Sequence, residues 1–279
     1  MAWPRLMLKR KTRTTLIAVI ANGPIDAATE SIEWIINELA NFYNKIEEGE
    51  TVIHGRPVSP PDYVELHVYL DRRAMISSLA EEMLELGMNL APAYTVMHDA
   101  WKGYPRIHVN LEEVDRLPRT IMRSLVLHEA AHSVLHGSLE YYVVGLPGTS
   151  SDELLVYSLL SAGYKDLEVA ELLRALGLED ELKRYAEWIL EFLEPSCDSL
   201  LELARLFKET AIPFSINMEI MVEQDCRSKL ERLYNTARRL LELDKTPSLK
   251  YQLLYRALLD AVGETVGVQA SKTSFWPNI

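Results

Sequence analysis

Cysteine is nearly absent from this chain: Cys197 and Cys226 are the only two in 279 residues. Two cysteines build no disulfide framework, and these two lack the spacing of a metal site. The expectation is a pair of buried thiols in a reducing compartment. Long apolar runs are missing as well. Leu16-Ile17-Ala18-Val19-Ile20-Ala21 follows Lys9, Arg10, Lys11 and Arg13, but it stops at Asn22-Gly23-Pro24 and is too short for a signal peptide. No stretch approaches the roughly 20 apolar residues of a membrane span, so the chain reads as cytoplasmic, with no membrane partner. Basic residues are in deficit, 29 Lys and Arg against 41 Asp and Glu. The net charge of −12 would repel nucleic-acid phosphates, which argues against non-specific binding, so no nucleic-acid partner is expected. Internal repeats and low-complexity segments are also lacking.

What is present suffices for a sizeable core: 48% of the residues are hydrophobic, an ordinary value for a globular chain of one large or two small domains. Residues 15–21 read as a strand behind a basic, solvated lead-in, and residues 26–43 as a helix with Ile32, Ile35, Ile36, Leu39 and Phe42 at helical spacing. Prolines make residues 49–61 a loop. Residues 63–70 alternate, with Val64, Leu66, Val68 and Leu70 on one face and His67 on the polar face. Asp71 opens a helix to Leu86, and residues 94–98 and 104–110 form a hairpin whose second strand carries Arg106 and His108 on its polar face. Beyond Gly145 the pattern is helical. Segments 151–162, 166–176, 179–193, 199–210, 216–243 and 248–262 are punctuated by Gly163, Gly177, Pro195, Pro213 and Pro247. The fold class expected is α+β. An α/β part with a small mixed sheet spans residues 1–145, and a mainly helical part spans residues 146–279.

Chemistry concentrates in Leu125 to Gly137, which contains His128-Glu129-Ala130-Ala131-His132. Residues four apart on a helix differ by only about 40° in direction, so both imidazoles can grip one cation as neutral nitrogen donors. Glu129 projects about 100° from His128, near enough to take a proton from water without ligating. The surroundings strengthen this reading. From Leu125 to Leu135 only Ser133 is polar besides the motif, so Glu129 has neither a solvated face nor a basic partner three or four residues away. Burying an unpaired carboxylate costs several kcal/mol, which a metal site would offset. The alternative is two core histidines with a glutamate paired elsewhere.

A zinc site needs a third protein ligand. His136 lies eight residues from His128, about 12 Å along a straight helix, and cannot share its ion. Its expected place is the helix C-terminus, where a cation is favoured, or packed behind the site. The metzincin extension is excluded, because its glycine and third histidine positions hold Leu135 and Ser138. An acid on a following helix remains. Glu168, between Leu167 and Val169-Ala170, is preferred; Glu153 lies 21 positions after His132 but sits in a capping box begun by Ser150; Asp166 would cap a helix or support a ligating histidine. Tyr141, Tyr142, Tyr157, Tyr164 and His108 are open candidates for an oxyanion donor. Residues 104–110, just before the motif helix, are the expected sheet edge for an extended substrate.

The motif resembles that of zincin metallopeptidases of the gluzincin branch. His128 to Gly137 is similar to the H-E-x-x-H-x-x-L-H of ImmA/IrrE-type peptidases, with Ala131 where those have glycine. The resemblance covers residues 104–137. It implies His128 and His132 as Zn2+ ligands, Glu129 as general base and an acidic ligand from a later helix. The function expected is that of a zinc-dependent peptidase acting on a peptide or protein substrate. The rival expectation is a catalytically inactive protein of zincin fold that binds or regulates through its helical half.

Overall fold

The computed structural model describes residues 5–23, 29–85, 95–142 and 150–263. The expected ends at Pro24, Asp26, Leu86 and Tyr94, and the division at 145/146, lie outside the described residues. The protein is α+β: one five-stranded mixed sheet followed mainly by helices.

Strand β1 (Arg5–Lys11) pairs antiparallel with β2 (Leu16–Asn22), and β2 pairs in parallel with β5 (Tyr63–Tyr69). Between them come helix α1 (Thr29–Gly49) and a two-stranded ribbon, β3 (Val52–Ile53) with β4 (Arg56–Pro57), inside the stretch expected to be a loop. Helix α2 (Arg72–Glu85) follows, with Asp71 Oδ1 accepting from the Ala74 N–H at 2.7 Å. The hairpin strands β6 (Val96–Asp99) and β7 (Arg106–Asn110) complete the sheet, in the order β1-β2-β5-β7-β6.

Two expectations change here. The basic lead-in is itself strand β1, and its Arg and Lys side chains face solvent along the outer edge, where charge blunts further pairing. Charge on both faces erases the two-residue alternation that would have marked it as a strand. The second change bears on function. Strand β7 is interior, between β5 and β6, so the edge beside the later helices is β6 rather than residues 104–110.

The short helix α3 (Leu111–Val114) leads to the motif helix α4 (Arg119–Leu135), entered from Pro118. One sheet face buries Ile17, Val19, Val64, Leu66, Ile107 and Val109 against α1 and α4. Helix α5 (Ser151–Ala175) then runs unbroken through Gly163. Glycine serves there as a contact point rather than a break. A Cβ on it would lie 2.8 Å from the Phe207 ring and 2.9 Å from Lys208 Cα. Both belong to α7 (Leu200–Ser215), which follows α6 (Glu179–Glu191) and continues through Pro213. Helix α8 (Gln224–Leu241) begins eight positions later than the expected residue 216, and α9 (Pro247–Val262) ends the described chain. None of the described helices is long and apolar enough to cross a membrane.

Helix α5 joins two cores. Its Val169, Ala170, Leu172 and Leu173 pack with the sheet, α1, α4 and α6, whereas Val156, Tyr157, Leu160, Tyr164 and Leu167 pack with α7, α8 and α9. The cysteines are joined as a Cys197–Cys226 disulfide, which ties the segment before α7 to the first turn of α8. They are therefore not free thiols, and their rarity gives no argument for a reducing compartment.

Candidate metal centre

Helix α4 is held on both sides, which fixes the direction of its histidines. Leu125, Val126, Leu127, Ala130 and Ala131 are buried in the sheet-side core. Ser133, the one polar residue beside the motif, donates to the Ala130 carbonyl at 2.6 Å and meets the Tyr43 hydroxyl of α1 at 2.8 Å. After His136 the chain turns at Gly137, where a Cβ would stand 2.6 Å from the Ser133 carbonyl oxygen.

His128 and His132 project together toward α5, with their Nε2 atoms 3.0 Å apart. Asp166 Oδ1 completes the triangle, 3.1 Å from His132 Nε2 and 3.3 Å from His128 Nε2. All three residues are buried, and together they could hold a metal ion. Burial alone would raise the Asp166 carboxyl, but the facing rings of His128 and His132 outweigh it and hold it well below the usual range. Burial pushes His132 well below the ordinary histidine value, keeping it neutral.

Glu129 lies beside this triangle. Burial pushes its carboxyl up to about 7, against the pull of His128 and Lys208 and with Asp166 adding to the rise. The backbone N–H of His98 on β6 faces the carboxylate and opposes the rise. The Asn110 N–H donates to the Thr95 carbonyl at 3.0 Å, so residues 95, 97 and 99 turn their backbone toward β7. Residues 96 and 98 turn theirs to the other edge, which no strand pairs among the described residues. That edge therefore runs past Glu129.

The sheet's other face pins β6 in place. Arg106, fully buried, grips Asp99 through Nε (2.8 Å) and Nη2 (3.0 Å), and His108 Nε2 meets the same carboxylate at 2.7 Å. Glu82 of α2 binds Arg106 Nη1 at 2.8 Å. Arg106 and His108 thus share a face as expected, but the face is closed by ion pairs. His108, one of the oxyanion candidates, is committed there and not beside His128 and His132.

The sequence candidates separate clearly. His128, Glu129 and His132 come together with Asp166. Glu168 does not join them: its Oε2 is 2.9 Å from His136 Nε2, and its Oε1 is 3.9 Å from Lys250 Nζ on α9. Burial pushes Glu168 up to about 7 despite Lys250. Glu153 stays in its exposed capping box with Ser150. His136 caps the C-terminal end of α4 and is completely buried, which holds it well below the ordinary histidine value; it packs behind the site instead of acting as a helix-end cation. His98 is a neighbour that sequence reasoning missed. Its ring lies parallel to that of His132 with centroids 6.1 Å apart, and its Nδ1 is 2.8 Å from the Tyr142 hydroxyl. No sequence spacing signals this, because pairing with β7 is what carries His98 to α4. Comparisons with protein-family models, with curated proteins and with solved structures found no match for this chain.

Proposed function

We propose that this chain is a zinc-dependent peptidase of zincin type, with His128, His132 and Asp166 as the protein ligands. The observation carrying the reading is the spacing of the three donor atoms, 3.0, 3.1 and 3.3 Å. Ligand atoms placed tetrahedrally around zinc at about 2.0–2.1 Å stand roughly 3.3 Å apart, so this donor set fits that ion with little adjustment. Two neutral imidazoles and one carboxylate are also the ligand chemistry of a hydrolytic zinc site, which keeps its fourth position for water. Zinc bound there would act as a Lewis acid on the scissile carbonyl and make its water acidic near neutral pH.

The chain's own residues supply the rest. Glu129 takes the water proton on a carboxylate oxygen and returns it to the departing amine nitrogen, so that one water is consumed and the amide becomes an acid and an amine. The edge of β6 that no described strand pairs turns the backbone of residues 96 and 98 toward the place an extended peptide would take, and the Asp99–Arg106–His108 ion pairs keep that edge at a fixed distance from α4. An antiparallel edge strand beside a motif helix, with the acidic ligand from the next long helix, supports the zincin comparison.

Metal analysis of protein purified without added metal or chelator tests the site, with close to one equivalent of zinc expected. Less than about 0.1 equivalents would overturn the reading. Glu129→Gln should keep the metal and abolish cleavage across broad peptide libraries. Absence of cleavage in both proteins favours the binding or regulatory alternative.

A further inference from the structure

We infer that His136 and Glu168 form a positioning relay that fixes the tautomer and orientation of His132 for metal binding; the inference rests on the metal-site reading above. The relay is continuous. His132 Nδ1 is 2.9 Å from His136 Nδ1, and His136 Nε2 is 2.9 Å from Glu168 Oε2. A carboxylate only accepts, so His136 donates from Nε2 and keeps its lone pair on Nδ1. That lone pair faces His132, which must donate from its own Nδ1. With an ion held between His128 Nε2, His132 Nε2 and Asp166 Oδ1, His132 Nε2 is then left unprotonated and directs its lone pair at that ion. This is the tautomer that a metal ligand requires.

The helix geometry makes the relay possible. His128, His132 and His136 are successive steps of four along α4, so their rings form a ladder with centroids 4.7 Å and then 5.1 Å apart. The third rung lies too far along the axis to reach the ion held by the first two, but it lies within reach of the second ring's other nitrogen. Lys250 from α9, 3.9 Å from Glu168 Oε1, gives the half-buried carboxylate a cation on its far side. The relay therefore links α4, α5 and α9. It also gives a role to a buried histidine and a half-buried glutamate that neither ligate nor contact a substrate. Among the described residues His128 has no equivalent support: its Nδ1 meets no hydrogen-bond partner there, and its ring lies 4.6 Å from that of Tyr185. The orienting contacts are concentrated on His132.

The test uses the full-length chain at pH 8, with Zn2+ affinity measured by competition against a chromophoric chelator. Glu168→Gln should weaken zinc binding about 10- to 100-fold, the usual effect of removing a partner that orients a ligating histidine. Glu153→Gln, the same charge change in an exposed cap of the same helix, should leave affinity within about twofold. A second readout needs no substitution. In zinc-loaded protein labelled with 15N-histidine, NMR should find His132 protonated at Nδ1 and ligated through Nε2, and His136 protonated at Nε2. Wild-type affinity in Glu168→Gln, or an Nε2-protonated His132 in zinc-loaded protein, overturns the relay while leaving the metal site intact. Absence of zinc binding in wild type, or equal binding in His128→Ala, overturns the metal site itself and the relay with it.

Discussion

Gly163→Ala should destabilise this protein, although helix propensity alone demands the opposite. Glycine in a helix interior is about 1 kcal/mol less favourable than alanine, and Gly163 lies near the middle of α5. The added methyl would, however, stand 2.8 Å from the Phe207 ring and 2.9 Å from Lys208 Cα. Relaxed carbon contacts are about 3.5–4.0 Å, so α5 and α7 must separate by roughly 0.7–1 Å. The ring can turn aside, but Lys208 Cα is backbone and moves only with its helix. Overpacking of this kind costs about 1–3 kcal/mol, which exceeds the propensity gain in most of that range and leaves a net loss of up to about 2 kcal/mol. For a chain of this size that lowers the melting temperature by a few degrees, measurable by circular dichroism or calorimetry. The effect should also reach the site. Asp166 lies three residues farther along α5, on the side of the helix that α7 would push, so zinc affinity should fall together with Tm. A Gly163→Ala protein that melts higher than wild type would refute the claim that close helix approach, rather than backbone freedom, selects glycine there.

Three further outcomes are expected. Asp166→Asn removes the charged member of the ligand triangle and should lose most of the bound zinc by elemental analysis; retention of a full equivalent would exclude Asp166 as a ligand. Reducing the Cys197–Cys226 disulfide frees a loop spanning 29 positions, worth about 3–4 kcal/mol of chain entropy, so Tm should drop by several degrees with reductant and stay unchanged by reductant in a Cys197→Ala, Cys226→Ala double variant. Glu65 ties stability to acid. Burial alone would raise its carboxyl, but hydrogen bonds from His67 and Tyr63 outweigh that and bring it from 4.5 to about 2. Its contribution is therefore complete above pH 4.5 and is lost as pH falls toward 2, so Glu65→Gln should flatten the acid limb of a stability-against-pH curve in that window.

The parts legible in the sequence are those whose signals are local. Val64, Leu66 and Val68 alternate and form an interior strand. The apolar stripe of residues 125–135 forms a helix, and the Ser150–Glu153 box caps another. Local signals misled where a residue type answers to a distant partner. Gly163 reads as a break but meets α7, the charges of β1 read as solvated coil but lie on a strand edge, and residues 104–110 read as an edge but take β6 as a neighbour.

The sequence by itself determined that His128 and His132 share one side of a helix and that Glu129 stands next to them in apolar surroundings, because helical periodicity acts over a single turn. It favoured Glu168 over Glu153 and Asp166, three acids on a later helix that differ only in direction. The packing of α5 across α4 decides which of them meets which histidine. It brings Asp166 to within 3.1 Å of His132 Nε2 and Glu168 to 2.9 Å from His136 Nε2, a selection made by contacts between residues more than 30 positions apart in the chain.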